Sequence, residues 1–234
     1  MDAYYPVYLN LKNRRVLIIG GGEIATGKIP ALLESGAKIE VISPLVTEEL
    51  KEYAASGKVT WTEREYIRGD LDGIFVAIAA TNVRKVNQVI YDEADEKGVL
   101  LNVVDDTPFC SFIAPAIVKR GPVTLAISTG GVSPALARKF RESLTEDPVL
   151  EWSDLAPVLS KARNEVKRED VYVEPQRWQC CIDENLMDTY KNQGDSAAME
   201  LLLGKLIRYS DDKMCPDMGV CIPGGCQIRS KKTS

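Results

Sequence analysis

The chain has no histidine among its 234 residues. This absence excludes a Ser-His-Asp triad, a Cys-His pair, a His-ligated zinc and any imidazole base. Proton transfer falls to Asp, Glu, Lys, Tyr, Cys or water. Positive charge is also short. The net charge is −5, so nucleic acid and anionic membrane are not expected as partners. Long apolar runs are missing, and no stretch approaches the roughly 18 uninterrupted apolar residues of a membrane helix. The opening residues MDAYYPVYLNLKNRR carry an early acid and no apolar core. They do not read as a secretory signal, and a cytoplasmic location is expected. Disulfides are not expected in that compartment. Of the six cysteines, Cys110 stands alone, Cys180 and Cys181 are adjacent, and Cys215, Cys221 and Cys226 lie near the C-terminus. The last three match no standard zinc or iron–sulfur spacing. They read as incidental thiols, with soft-metal binding as the alternative.

What is present is an ordinary globular composition, 45% hydrophobic and 27% charged, sufficient for a sizeable core. Apolar runs of strand length at Val16–Gly20, Lys38–Ser43, Lys58–Thr62, Gly73–Ala79 and Val99–Val104 alternate with helical segments. Ile24–Ser35 is expected to be a helix with Ile24, Ile29, Leu32 and Leu33 on one face, and Pro30 inside it should cost stability or force a kink. Thr47 should cap a short helix, and Val83–Lys97 should end at Gly98. Near-continuous apolar strands alternating with helices predict an α/β fold, a doubly wound parallel sheet. Beyond it, Phe112–Val118 and Val123–Ser128 flank the turn signal KRGP and predict an antiparallel hairpin. Ser133 and Pro134 should start a helix running to about Leu144. The chain from there to about Tyr209 reads as helical, and the segment from Ser210 onward as a loose tail.

The chemistry-bearing motifs fall at strand ends. Gly20-Gly21-Gly22-Glu23-Ile24-Ala25 matches G-x-G-x-x-A after a strand and before a helix. In that pattern the first glycine makes the turn, the second lets the backbone approach a pyrophosphate, and the alanine packs the helix on the sheet. A glycine turn that merely connects strand to helix is the competing reading. The second strand ends in Ser43-Pro44 rather than Asp or Glu, with no basic residue beside it. NAD is therefore expected over NADP, with Ser43, Pro44 and Leu45 near the ribose. The fourth strand runs into Thr81 and Asn82, and the fifth, NVVDD, ends with Asn102, Asp105 and Asp106. Without histidine, a carboxylate at this ligand edge is the natural base candidate; a pair of surface acids solvating a turn is an equal alternative.

Together, PVYLNLKNRRVLIIGGGEIATGKI, VISP, AIAATN, NVVDD, SFIAPAIVKRGPVTLAISTGG and SPALARKFRESL resemble the precorrin-2 dehydrogenases. That family includes the N-terminal half of siroheme synthase and the yeast-type dehydrogenase/ferrochelatase. The resemblance spans Pro6 to about Leu144. It implies a Rossmann-like NAD-binding domain (1–112), a dimerisation segment of hairpin plus helix (113–147) and a helical domain (148–209), with 210–234 a Cys-containing tail. It further implies a homodimer that oxidises the tetrapyrrole precorrin-2 to sirohydrochlorin with NAD+, and in some members inserts Fe2+ to give siroheme. The family's catalytic aspartate falls on Asp105. The cofactor residues fall on Gly20, Gly22, Glu23, Ile24, Ala25, Ser43, Pro44, Leu45, Thr81 and Asn82.

For the polycarboxylate substrate the candidates are Asn102, Ser128, Thr129, Gly130, Lys119, Arg120 and Arg138. Lys139 is a further cationic candidate, and each cation taken singly reads equally as a solvated charge. Thr129 stands where the siroheme synthases often carry a modifiable serine. A methyltransferase half does not fit in the residues left. Two alternatives stay open: a non-catalytic regulator that binds NAD or a tetrapyrrole on this fold, and an NAD-gated potassium-channel regulatory domain. A regulator has no need of Asp105, and the hairpin and SPALARKF helix argue against the channel domain.

Overall fold

The computed structural model describes residues 4–208 and 228–230. The chain divides into two compact units. One is built from residues up to Ala116 together with Ser128–Ala137, and the other from Ile117–Ile127 together with Arg138 onward.

The first unit is a parallel sheet of β1 (Arg15–Ile19), β2 (Lys38–Ile42), β3 (Val59–Thr62), β4 (Val76–Ala79) and β5 (Leu100–Val103), ordered β3-β2-β1-β4-β5. Both faces are covered. Val16, Ile18, Val41, Val76 and Ile78 enter one core. Leu17, Ile19, Ala77, Ala79, Leu101 and Val103 enter the other. This two-sided burial is why the strands read as unbroken apolar runs. The chain winds outward from β1 to β3 and then returns to β4 beside β1. The C-terminal ends of β1 and β4 thus form the switch point at which such sheets bind ligands.

The connections differ from expectation in one informative place. The helix expected over Ile24–Ser35 is broken into α1 (Glu23–Thr26) and α2 (Ile29–Glu34). Pro30 has no N–H for Thr26, and its ring would clash with the Thr26 carbonyl, so a continuous helix is excluded. Placed in the first turn of α2, Pro30 costs nothing. Ile24 is a second correction: it is 52% exposed rather than on the core face, while Ile29 is fully buried. α3 (Glu48–Ala55) is capped by the Thr47 hydroxyl, which accepts from the Leu50 N–H. α4 (Arg84–Lys97) ends at Gly98 in the left-handed conformation, the glycine stop expected there.

β6 (Ala116–Arg120) and β7 (Val123–Ile127), which but for Ala116 belong to the second unit, pair across Gly121-Pro122. So short a connection permits only an antiparallel hairpin, and its first strand starts later than Phe112. α5 (Pro134–Thr145) has the Ser133 hydroxyl accepting from the Leu136 N–H. A 3-10 segment (Pro148–Leu155) leads to α6 (Ala156–Arg168), β8 (Val171–Val173), α7 (Pro175–Cys181), α8 (Glu184–Gln193), α9 (Asp195–Leu203) and a π-helical turn (Gly204–Arg208). Leu155, Val158, Ala162 and Val166 make a stripe that packs with Leu186, Ala198, Leu202 and Leu206, the spacing of a buried helix face. β8 was not expected, and it pairs antiparallel with β9 (Ile228–Ser230) inside the segment read as a loose tail. Its partner lies more than fifty residues away along the chain, so no local pattern announces it. Cys215, Cys221 and Cys226 lie outside the described residues. No described helix is long and apolar enough to cross a membrane.

Candidate cofactor cleft and active site

A cleft of about 770 Å3 opens at the C-terminal ends of β1, β2 and β4. Its floor is the glycine turn. Gly20 has φ +108°, and a Cβ there would stand 2.4 Å from the Ala80 carbonyl oxygen. Only glycine permits both the conformation and the contact. Gly21, given no role from sequence, is equally constrained: a Cβ would meet the Leu45 oxygen at 2.3 Å. Gly22 differs. A Cβ there would meet nothing within 4 Å, because the residue faces the open cleft. The three glycines thus do three jobs: approach to β4, approach to the β2–α3 loop, and an uncovered backbone beneath the ligand.

That loop is bound to the turn. The Thr47 N–H donates to the Gly21 oxygen at 3.0 Å, and the Thr47 and Thr26 hydroxyls pair at 2.8 Å. Ser43 is buried, and its hydroxyl donates to the Leu45 oxygen at 2.6 Å. Its own carbonyl accepts from the Trp61 indole at 2.9 Å. The Ser43 proton is thus spent folding the loop, which leaves its hydroxyl oxygen only as an acceptor toward a ribose. Pro44 and Leu45 line the cleft, Leu45 being 81% exposed. Ile24 lines it too, while Ala25 is fully buried beneath. Glu23 is exposed and is not part of the lining.

On the opposite side stand Thr81 and Asn82, with Val83 and Val86. The Thr81 hydroxyl accepts from the Val83 N–H at 3.0 Å. Asn87 is buried and donates to the Thr81 carbonyl at 3.1 Å. Its Oδ1 is a buried acceptor with no partner among the described residues. Leaving such an oxygen bare costs about 1–3 kcal/mol.

Asp105 lines the cleft beside Val104. It is exposed, with φ +60°, a conformation that Asp tolerates better than most residues. No hydrogen bond or ion pair engages its carboxylate among the described residues. A side-chain clasp holds the turn. The Cys110 thiol accepts from the Val103 N–H at 3.2 Å and donates to the Val103 oxygen at 3.1 Å. The Ser111 hydroxyl does the same for Leu101, at 2.7 and 3.2 Å. The outer edge of β5 is thereby satisfied by side chains, and the loop carrying Asp105 is folded back against it. Burial pushes the Cys110 thiol up, so it stays protonated and able to donate. Asn102, expected at the substrate, does not line the cleft. Its amide donates to the Phe112 oxygen at 3.1 Å and to the Cys110 sulfur at 3.6 Å.

Ser128–Gly131 belongs to the same unit as the cleft, and a Cβ on Gly131 would lie 3.7 Å from Thr107, two residues after Asp105. The Ser128 hydroxyl accepts from the Gly130 N–H at 3.1 Å. The Thr129 hydroxyl donates to the Ser133 oxygen and accepts from the Ser133 N–H, each at 3.1 Å. Thr129 is thereby engaged in closing the loop before α5. Lys119, Arg120 and Arg138 fall in the other compact unit. There Arg120 is paired bidentately with Asp154 at 2.6 and 3.0 Å, and Arg138 lies 3.3 Å from Glu142.

Two wall residues escaped the sequence reading. Glu65 and Tyr66 follow β3 and line the cleft. Applying the strand-end rule to β3 as well as to its neighbours would have pointed to them. Tyr66 donates at 2.6 Å to Glu93, a fully buried carboxylate on α4. Glu93 also accepts from the Gly69 and Leu71 N–H groups and from Lys97 at 2.7 Å. Burial pushes Glu93 up, yet these four donors outweigh it and hold its carboxyl below the usual range. Burial and the same hydrogen bond push the Tyr66 hydroxyl upward, which keeps it a donor.

The cleft fits a nicotinamide dinucleotide. The first N–H groups of α1 have no partner within the helix, and Gly22 leaves the backbone bare below them. No Lys or Arg lines it, and no group of three or more potential metal ligands occurs among the described residues. Residues 7–116 match a family model for NAD(P)-binding, and residues 120–146 match the model "Sirohaem biosynthesis protein central". The siroheme synthase of Photorhabdus laumondii is 42% identical over 165 residues, 70% of this chain and 35% of that protein. Siroheme synthase 3 of Aeromonas hydrophila is 35% identical over 224 residues, 95% of this chain and 47% of that protein. The chain thus spans about a third to a half of these curated relatives. A solved structure of SirC, a precorrin-2 dehydrogenase, superposes with TM-score 0.69 and 30% identity, covering 85% of this chain and 98% of its own. With the sheet, the glycine turn and this match in agreement, the chain belongs to the precorrin-2 dehydrogenase family.

Proposed function

We propose that the chain oxidises precorrin-2 to sirohydrochlorin with NAD+ in siroheme biosynthesis. The observation that carries this reading is Asp105, an exposed carboxylate held by its turn in the lining of the cleft beside the glycine turn. When bound, the nicotinamide supplies the hydride acceptor. The chain's own residues do the rest. Gly20, Gly21 and Gly22 keep the backbone low enough for a pyrophosphate, and Thr81, Asn82 and Ile24 flank the cofactor. Asp105 takes up the proton that the substrate loses as its C–H bond is oxidised, or orders a water that does so. Asp106, next to it in the turn, is the weaker candidate. NAD is proposed over NADP because no cation lines the cleft.

The same carboxylate suits removal of the pyrrole protons displaced when Fe2+ enters sirohydrochlorin. A homodimer is proposed through residues 113–147. Its support is that Ile117, Val132, Leu136 and Phe140, all within this segment, are exposed apolar side chains.

The test is to incubate the protein with precorrin-2 and NAD+, follow sirohydrochlorin absorbance, then add Fe2+ and follow siroheme. The expected result is NAD+-dependent oxidation by the wild type and none by Asp105→Ala. Full oxidation by that variant overturns the role of Asp105, and none by the wild type overturns the activity.

A further inference from the structure

Nicotinamide-binding sheets of this kind ordinarily carry an acid at the end of the second strand, which holds the ribose hydroxyls and excludes a 2′-phosphate. Here that position is Ser43-Pro44, and the Ser43 hydroxyl is consumed by the Leu45 carbonyl. The strand end has no charged side chain to hold the ribose hydroxyls and repel a 2′-phosphate.

The neighbouring strand supplies one. β3 lies beside β2, with Ile42 in register with Thr62, and the Ser43 N–H extends the ladder to the Thr62 oxygen at 3.3 Å. The chain then turns, and three residues past β3 places Glu65 in the lining of the same cleft as Ser43, Pro44 and Leu45.

Glu65 stands on a braced backbone. Arg64 donates to the Glu65 carbonyl at 3.0 Å while gripping Asp70 bidentately, at 2.7 Å for each bond. Asp70 also accepts from the Ile67 N–H at 2.9 Å. On the other side, the Tyr66 hydroxyl is anchored to the buried Glu93. The segment is held on both flanks of Glu65, while the Glu65 carboxylate itself has no hydrogen bond or ion pair among the described residues. The one cation adjacent in sequence, Arg64, is committed to Asp70 and does not line the cleft. Among the described residues, Glu65 and Asp105 are the only charged ones in the lining, and Asp105 lies at the β5 end, away from β2 and β3 in strand order.

We infer that Glu65 is the cofactor-specificity residue of this chain. Its carboxylate accepts from the adenosine ribose hydroxyls and repels a 2′-phosphate, replacing by a β3-end acid the β2-end acid that the chain lacks. The inference rests on the cleft's being the nicotinamide-dinucleotide site proposed above.

Equilibrium binding tests it without catalysis. The full chain is titrated with NADH and with NADPH, and nucleotide fluorescence is followed. The wild type is expected to prefer NADH. Glu65→Gln should shrink the ratio of the two dissociation constants about tenfold, through weaker NADH binding and stronger NADPH binding, because a charged hydrogen bond and a like-charge repulsion are removed together. Glu65→Arg is the second variant and should favour NADPH. Glu63→Gln, outside the lining, should leave the ratio unchanged. A ratio that stays within about twofold of wild type in both Glu65 variants, or a wild type that holds NADPH as tightly as NADH, overturns the role of Glu65 while leaving the cofactor cleft intact. Failure of the wild type to bind either nucleotide overturns the cleft reading itself, and this inference with it.

Discussion

Gly20, Gly22 and Asp105 are where the proposed function is tested atom by atom. Gly20→Ala would place a Cβ against the Ala80 oxygen in a left-handed backbone. It should cost about 1–3 kcal/mol, read as a lower Tm together with lost nucleotide binding. Gly22→Ala meets no protein atom. Its Tm should stay at the wild-type value while NADH affinity falls, since the methyl enters only the ligand's space. If Gly22→Ala binds NADH normally, the cradle is not there. Asp105→Asn separates chemistry from backbone, because Asn also tolerates the left-handed region. Oxidation of precorrin-2 should fall by about 100-fold or more, the usual scale for a lost proton acceptor, with NADH affinity unchanged. The glycines and Asp105 were legible in the sequence because strand ends in an open parallel sheet are places of known use. Gly21 and the diverted Ser43 hydroxyl were not, because their partners, Leu45 and Val46 for the glycine and Leu45 for the serine, are set by how a loop folds.

At the level of elements, the segment between β3 and β4 depends on α4 through Glu93. The Glu93 carboxyl is held below its unfolded value. Its stabilisation is therefore fully present above about pH 4.3, the ordinary glutamate value, and is lost as pH falls through the folded value. Thermal melts taken downward from neutral pH through and below about pH 4.3 should show a steep acid limb in the wild type and a shallower one in Glu93→Gln. Identical limbs would remove Glu93 as the cause. Glu93→Ala leaves the Tyr66 hydroxyl and the Gly69 and Leu71 N–H groups without their acceptor, while Lys97 keeps Asp72, and should lower Tm. On β5, the Cys110 clasp leads to a different expectation. Its raised thiol should resist alkylation at neutral pH in the folded protein and react on unfolding, as peptide mass spectrometry would report; rapid modification of native protein would show that the clasp is open. Neither knot was legible in advance. Glu93 sits in a helix rich in charge, and only packing shows that it faces inward.

For the whole molecule, the proposed dimer has a direct check. Leu136 and Phe140 lie one turn apart on α5, exposed at 48% and 49%. Light scattering should show a dimer for wild type and a monomer for Phe140→Asp, with unchanged helical circular dichroism; a wild-type monomer would end the proposal. The helical unit shows what sequence could and could not supply at this scale. The stripe Val158, Ala162 and Val166 on α6 announces a buried helix face by spacing alone. The β8–β9 ladder that joins Val171–Val173 to Ile228–Ser230 announces nothing, since each strand is three residues long and its partner is remote.

By itself the sequence determined the alternation of strand and helix, the parallel two-sided sheet, the glycine turn and the acid at the β5 end. Each of these follows from local periodicity or from the steric demands of one residue, as when Gly20 takes the turn after β1. Only the tertiary structure decided which polar groups remain free to act. The Ser43, Thr129 and Asn102 side chains, all read as ligand contacts, spend hydrogen bonds on their own loops, while Glu65, unremarked in the sequence, stands open in the cleft. A side chain's chemistry is written in its type, but its availability is settled by which partners folding brings within hydrogen-bond distance.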